Sequence, residues 1–177
     1  GEHGWYDKRW MYEESLVMPL VIRWPGVVEP GSINDDIVSN LDFAETFLDI
    51  AGAGIPSEMQ GRSFLPILKG RTPADWRKTF YYHYYEFPGA HSVARHYGVT
   101  DGHYKLINFY ENKDWEMFDL TADPNELQSI YGRKEYVGIQ SRLEKELVRL
   151  RQYYKVPKKD PDSTRPKPRP KRTNKKK

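Results

Sequence analysis

The sequence predicts a mixed α/β chain in two parts: the last strand and helix of a larger α/β sheet, then a small α+β subdomain. Three patterns support this prediction. An apolar run at residues 19–24 stops at a Pro-Gly pair, a helical period follows between Leu41 and Ala51, and four β-type runs precede one amphipathic helix after residue 77. We therefore place the parts at residues 1–76 and 77–157, followed by a tail at 158–177.

The first part contains one predicted strand and two predicted helices. Residues 19–24 read Pro-Leu-Val-Ile-Arg-Trp and end at Pro25-Gly26, which is typical of a buried strand closed by a turn. The longer helix is predicted from apolar residues at helical spacing, which are Leu41, Ala44, Phe47, Leu48 and Ala51. Ser39 or Asn40 can cap its start, and Gly52 suits its end. A short helix is predicted at residues 63–69.

The second part is predicted to be a four-stranded antiparallel sheet packed on a C-terminal helix. Its β-type runs are rich in aromatic and branched residues and cover residues 79–86, 94–100, 103–109 and 115–120. Asp101-Gly102 between two of these runs is a hairpin signal. At residues 140–154, Leu143, Leu147 and Leu150 mark one apolar helix face, which we expect to cover one face of the sheet.

Composition and charge exclude several classes of site. Among its 177 residues the chain has no cysteine, so it contains neither a disulfide nor a thiolate zinc site. No apolar run reaches the roughly 20 residues of a membrane span, and no signal-peptide pattern is present in these residues. Residues 158–177 hold ten Lys/Arg and two Asp, whereas the rest holds 18 Lys/Arg and 23 Asp/Glu. This basic tail is predicted to be disordered; it lacks interleaved aromatic residues, so no nucleic-acid site is expected, although its charge suits polyanions.

Motifs at the start of the chain and between residues 104 and 126 resemble those of one enzyme family. Residues 1–15 read Gly-Glu-His-Gly-Trp-Tyr-Asp-Lys-Arg-Trp-Met-Tyr-Glu-Glu-Ser, and the later motifs are Tyr-Lys-Leu-Ile at 104–107 and Asp-Pro-Asn-Glu at 123–126. The combination resembles type I sulfatases of the alkaline phosphatase superfamily, over residues 1 to about 157. Between the two later motifs, residues 116–120 read Glu-Met-Phe-Asp-Leu, where the family pattern is Glu-Leu-Tyr-Asp-Leu. Met117 and Phe118 thus replace a Leu and a Tyr. Asp119 and Asp123-Pro124 are interpreted as turn formers rather than catalytic acids.

The resemblance implies an alkaline-phosphatase-like sheet domain and a formylglycine-dependent hydrolase acting on a sulfate ester, expected on a carbohydrate such as a glycosaminoglycan. It also implies a divalent metal, usually Ca²⁺, and a periplasmic or extracellular location. The family's Cys/Ser-x-Pro-x-Arg nucleophile motif and its metal carboxylates are absent from these residues. We therefore expect this chain to be a C-terminal fragment that is inactive alone, with the N-terminal catalytic part of the same protein as its partner.

Lys8 is the candidate catalytic residue. Transfer of a sulfuryl group develops negative charge on oxygen, which a cation on a Gly-containing loop stabilises. The resemblance implies that a lysine five residues after the loop histidine contacts the sulfate and the leaving-group oxygen, and His3 and Lys8 have this spacing. The alternative is a solvated surface lysine. His3 is a candidate to bind substrate or to order the loop, and no second ligand at zinc spacing lies beside it.

Arg95 and His96 are candidate substrate-binding residues, in a cluster with His91 that enters a predicted strand. The resemblance implies that the C-terminal subdomain adds residues to the substrate pocket, and the alternative is a packing role in the hairpin. Two other functions stay open. One is a phosphodiesterase or phosphonate monoester hydrolase of the same superfamily, since phosphoryl and sulfuryl transfer need similar anion-stabilising groups. The other is a non-catalytic polyanion-binding module.

Overall fold

A computed structural model describes residues 2–4, 8–87 and 91–160. Its centre is an antiparallel sheet with the order β1-β2-β3-β4. The strands are β1 Phe80–Tyr84, β2 His96–Thr100, β3 Tyr104–Phe109 and β4 Asp114–Asp119. The α-helices are α1 Glu13–Leu16, α2 Asp42–Ile50, α3 Leu65–Leu68 and α4 Val137–Tyr153. The predicted α+β arrangement is confirmed, and each of the four predicted strand runs holds one of these strands to within a residue or two.

Helix α4 covers one face of the sheet, as its apolar period predicts. Leu143, Leu147 and Leu150 are buried against residues from strands β2, β3 and β4. The residues that meet them are Val99, Leu106 and Met117. Alternation along β1 divides its aromatic run: Tyr81 packs on this helix side, and Tyr82 packs on the opposite side.

The opposite face of the sheet is covered by the N-terminal segment, which is described at residues 2–4 and 8–16. The sequence pattern did not indicate this contact. Trp10, Met11 and Tyr12 are buried in a second core, whose other buried members are Val93, Ile107, Phe109 and Phe118. Gly98 permits this contact, because a Cβ there would lie 2.5 Å from Sδ of Met11 and 2.4 Å from a backbone oxygen. The sheet therefore lies between α4 and the segment that leads from Lys8 to α1.

The predicted buried strand at residues 19–24 is wrong for the described part of the chain. These residues have no strand assignment, and Val21 is 89% exposed. A strand is stable only when a neighbouring strand satisfies its backbone groups, and none of the described residues supplies that neighbour.

Helix α2 has the predicted position but the opposite orientation to the one its apolar stripe suggests. Phe47 and Leu41 are exposed, Phe47 to 65%, whereas Asp42, Glu45 and Thr46 on the polar side are buried. Gly61 lies against that polar side, where a Cβ would meet the Leu41 carbonyl oxygen at 2.1 Å. The helix thus presents its apolar stripe away from the rest of the described residues.

Two further predictions concern the C-terminal tail and membrane-spanning helices. The tail is described only as far as residue 160, so the predicted disorder of residues 161–177 lies outside the described residues. Within the described part, no helix combines the length and the apolar character that crossing a membrane requires.

Candidate functional site

Lys8 lies on the surface immediately before a firmly anchored stretch of backbone. The Tyr82 hydroxyl donates a hydrogen bond to the Arg9 carbonyl oxygen at 2.7 Å, and the Tyr12 hydroxyl donates one to Oε2 of Glu116 at 2.9 Å. Both bonds join the N-terminal segment to strands of the sheet. An exposed ammonium group next to a fixed backbone is suited to hold an anion in one place.

His3 lies in the same segment and adopts a strained backbone conformation. Its φ is 56°, in the left-handed region that residues other than glycine rarely adopt. Its ring stacks on Tyr12 with the centroids 4.1 Å apart, and its Nε2 lies 3.7 Å from Oε2 of Glu14. The contacts with Tyr12 and Glu14 therefore hold the first residues of the loop to the anchored part.

A row of stacked rings extends from His3 to His96. Trp10 lies 6.4 Å from Tyr12 and 5.6 Å from His96, centroid to centroid. His96 is 0% exposed, and its Nδ1 lies 2.8 Å from the Ala94 carbonyl oxygen. Because a carbonyl only accepts, Nδ1 carries the proton of the neutral ring. Nε2 is buried without a hydrogen-bond partner in the described residues.

Burial lowers the pKa of His96 from 6.5 to about 4, so its ring is neutral at neutral pH. Because the pKa of His96 is lower in the folded protein than in the unfolded chain, the unfolded chain binds a proton first as the pH falls. Stability from His96 is therefore complete above about pH 6.5 and is lost as the pH falls toward 4.

We expect this linkage to be measurable in the intact protein with His96→Phe, which keeps an aromatic ring beside Trp10 and removes the titrating group. Between about pH 7.5 and pH 5, the wild type should lose roughly 2 kcal/mol more free energy of unfolding than the variant. Denaturant titrations at the two pH values give this difference. The same loss in both proteins would contradict a buried neutral His96.

Arg95 and His96 are neighbours in sequence, but the structure separates their side chains. Arg95 NH1 lies 3.2 Å from Oδ2 of Asp160, and its Nε lies 3.6 Å from Oε1 of Glu111. The Tyr110 hydroxyl also donates to Asp160, at 2.7 Å. His96 is the first residue of β2 and packs beside Trp10, whereas Arg95 precedes the strand and pairs with the acidic residues Asp160 and Glu111.

One group of possible metal ligands lies near the loop, but it does not fit the Ca²⁺ that the family resemblance implies. Ligand atoms of His3, Glu14 and Glu126 lie within 4.8 Å of one another. However, the Lys105 ammonium lies 2.7 Å from Oε1 of Glu126, where it repels a cation. Ca²⁺ also needs six to eight oxygen ligands. The His3, Glu14 and Glu126 group therefore does not supply a Ca²⁺ site.

Sequence analysis missed the residues that fasten the N-terminal segment. Lys105 is fully buried, and its Nζ lies 2.6 Å from Oε1 of Glu13 and 2.7 Å from Oε1 of Glu126. Burial raises the pKa of Glu126, and Lys105 opposes that shift. A signal was present: Lys105 occupies the same face of β3 as Ile107 and Phe109, where a charge is expected only with buried partners.

Residues 1–153 match the model of a protein family described as N-sulphoglucosamine sulphohydrolase, C-terminal. The chain belongs to this sulfatase family. It is 52% identical over 165 residues to an N-acetylglucosamine-6-O-sulfatase of Bacteroides thetaiotaomicron, covering 92% of this chain and 29% of that protein.

Solved structures of other proteins share the fold of the chain. A structure solved in complex with its substrate, D-glucosamine-2-N,6-O-disulfate, matches with a TM-score of 0.84 and 50% identity, covering 93% of this chain and 33% of the other. A phosphonate monoester hydrolase from Silicibacter pomeroyi matches with a TM-score of 0.65 over 80% of this chain and 29% of the other. Its identity is 23%, so this likeness concerns the fold alone. The sulfatase chain thus spans about a third of the length of these relatives.

Proposed function

We propose that the intact protein containing this chain is a sulfatase that hydrolyses the 6-O-sulfate ester of a glucosamine unit in a sulfated glycosaminoglycan. The observation that carries the proposal is the 52% identity over 165 residues to a protein named for this activity. The family model matches residues 1–153, which include both the N-terminal segment with Lys8 and the sheet that anchors it. The fold-level likeness to a phosphonate monoester hydrolase gives that alternative less support.

In this proposal Lys8 stabilises the negative charge that develops on the sulfuryl and leaving-group oxygens. His3, held against Tyr12 at 4.1 Å, binds the substrate or orders the loop for it. His96 is fully buried beside Trp10, so in this proposal its neutral ring affects specificity by supporting the N-terminal segment rather than by touching substrate. Arg95 reaches substrate only by exchanging its contacts with Asp160 and Glu111 for a sulfate.

The remaining catalytic groups belong to the rest of the protein in this proposal. A formylglycine supplies the nucleophile, and a Ca²⁺ ion, held by carboxylates outside these residues, supports the charge of the sulfate. The family resemblance also supports action in the periplasm or outside the cell. The basic tail, by its charge, suits a sulfated polymer.

The proposal is tested by assaying the purified intact protein for release of inorganic sulfate from sulfated sugars and of the alcohol from a phosphonate monoester. The substrates are glucosamine carrying only a 6-O-sulfate, glucosamine carrying only a 2-N-sulfate, and a phosphonate monoester as the control. We expect turnover of the 6-O-sulfate well above that of the other two. Turnover of the phosphonate with none of either sulfate would replace the proposal by the alternative hydrolase.

The exposed apolar residues of the first part indicate where the rest of the protein packs. They fall in two segments: Val17, Met18, Leu20 and Val21 before the Pro-Gly turn, and Leu41, Phe47, Ile50 and Ile55 in and after α2. Large exposed apolar side chains mark interfaces. We assign both segments to contact with the N-terminal catalytic part, where residues 19–24 join a strand and gain the partners that they lack here.

Phe47→Asp is expected to have opposite effects in two contexts. In the intact protein it places a charge in a buried interface and should lower the free energy of unfolding by at least about 2 kcal/mol. In the isolated 177-residue chain it should increase solubility, because Phe47 is exposed there. Chemical denaturation of the intact protein measures the change in stability, and light scattering of the isolated chain measures the change in solubility.

Val148→Asp is the matched control, since Val148 is exposed on α4 next to charged Arg149. It should change the stability of the intact protein by less than about 0.5 kcal/mol. An equally small effect of Phe47→Asp would show that α2 stays exposed in the intact protein and would remove this interface.

A further inference from the structure

Three charged side chains from distant parts of the sequence meet beneath the N-terminal segment. Lys105 of β3 is 0% exposed and lies between Glu13 of α1, at 2.6 Å, and Glu126 of the turn after β4, at 2.7 Å. The second oxygen of Glu126 accepts a hydrogen bond from the Glu13 backbone N–H at 2.6 Å. Glu13 is therefore held by its side chain and by its backbone at once.

The turn that carries Glu126 is itself constrained. Glu126 has a φ of 52°, in the left-handed region, and it is buried. The backbone oxygen of Asp123 accepts from the Glu126 N–H at 3.0 Å, and Oδ2 of Asp123 accepts from the Gln128 N–H at 2.8 Å. A residue other than glycine keeps such a conformation only where its surroundings over-determine it. Here the turn directs a carboxylate at Lys105 and at the start of α1.

The energetics favour a role in position rather than in stability. Removing the charges of Lys105 and Glu126 from water costs free energy, and well-packed apolar residues of similar volume are often as stable as a buried ionic group. Unlike such apolar packing, a buried ionic group is stable only in the geometry that pairs its charges. Of the described residues, 8–16 are the ones that this geometry fixes relative to the sheet.

We propose that Lys105, Glu13 and Glu126 form a clamp that positions residues 8–16, so that Lys8 is presented to the sulfate ester. The three residues are positioning residues, because Lys105 is fully buried and acts through the loop. The inference rests on the proposed function, in which Lys8 contacts the sulfate.

A double-mutant cycle in the intact protein tests the clamp. Lys105→Met should lower kcat on 6-O-sulfated glucosamine at least about tenfold when Lys8 is present, and less than about threefold when Lys8 is already Ala. The loss is smaller in the second case because a displaced loop no longer carries the group that it presents. A role in stability alone would reduce activity by the same factor in both backgrounds.

Leu143→Ala is the control for lost stability, because Leu143 is buried on the α4 face, away from the loop. At a temperature where both variants are folded by circular dichroism, it should keep kcat within about threefold of wild type. Where Lys105→Met does not fold, Glu126→Gln takes its place. It keeps the size of the side chain, removes its charge, and should follow the same non-additive pattern.

Hydrogen exchange separates failure of the clamp from failure of the proposed function. The clamp predicts faster exchange at the amides of residues 8–16 in Lys105→Met, with α4 unchanged. If the wild type releases no sulfate, the proposed function fails and this exchange measurement still decides the clamp. Unchanged exchange at residues 8–16, or equal kcat losses in the two Lys8 backgrounds, would overturn it.

Discussion

Replacing Lys8 with Ala in the intact protein is expected to lower turnover of 6-O-sulfated glucosamine at least tenfold, which corresponds to about 1.4 kcal/mol of activation free energy. The reason is that an ammonium group near the sulfuryl oxygens stabilises the transition state more than the ground state. We therefore expect kcat to fall more than KM rises, and steady-state kinetics measure the two separately.

Lys145→Ala provides the matched control for this variant. Lys145 is an exposed lysine on α4, across the sheet from the N-terminal segment, so its removal changes the net charge equally. Its kinetics should equal those of the wild type. Near-normal turnover by Lys8→Ala would exclude Lys8 from the site and would leave it a solvated surface lysine.

Asp42→Ala is expected to cause the largest loss of stability, about 3–5 kcal/mol of the free energy of unfolding of the intact protein. Asp42 is 0% exposed and forms a two-pronged ion pair with Arg77, whose NH2 donates to Oδ1 at 2.5 Å. It also accepts backbone hydrogen bonds from Ser39 at 2.7 Å and from Arg62 at 2.8 Å. The variant leaves the Arg77 charge and these donors without a partner, which denaturant unfolding should detect.

An exposed ion pair in the same region provides the comparison. Arg62 NH2 lies 2.9 Å from Oδ2 of Asp75, and the Asp75 side chain is largely exposed. Because solvent screens such a pair, Asp75→Ala should cost less than about 1 kcal/mol. The account of Asp42 would be contradicted if the two variants lost similar amounts. Asp42 and Arg77 also join the parts of the chain on either side of the predicted boundary at residue 76, so their loss should loosen that junction.

Local periodicity was sufficient to predict the sheet and α4. The turn at Asp101-Gly102 separates β2 from β3, and the spacing of Leu143, Leu147 and Leu150 defines one face of one helix. Each of these signals lies within about ten residues of the structure that it predicts. The same holds for Asp119 as a turn former, since its Oδ1 accepts from the backbone N–H groups of Thr121 and Ala122.

Long-range partners could not be predicted in the same way. Glu13 and Glu126 are 113 residues apart, and nothing in the local pattern of either residue indicates that both meet Lys105. The burial of Trp10 against His96 depends on how the N-terminal segment crosses the sheet. The chain order of Arg95 and His96 suggested one cluster, whereas His96 packs beside Trp10 and Arg95 pairs with Asp160 and Glu111.

The orientation of α2 illustrates a different limit. Its apolar stripe correctly predicted a helix, but a stripe does not specify what covers it. In this chain, the buried side is the polar one, since Asp42 pairs with Arg77 and Thr46 accepts a hydrogen bond from the Phe64 N–H at 3.0 Å. Residues 19–24 show the same limit, because an apolar run does not specify the neighbouring strand that it needs.

The most direct test of the central claim is a crystal structure of the intact protein bound to 6-O-sulfated glucosamine, with the nucleophile replaced so that the ester stays intact. The account predicts that Nζ of Lys8 lies within about 3 Å of a sulfate or bridging ester oxygen, with residues 8–16 seated on the sheet as described here. A sulfate group bound beyond contact distance of Lys8, at a site that residues 8–16 do not line, would contradict it.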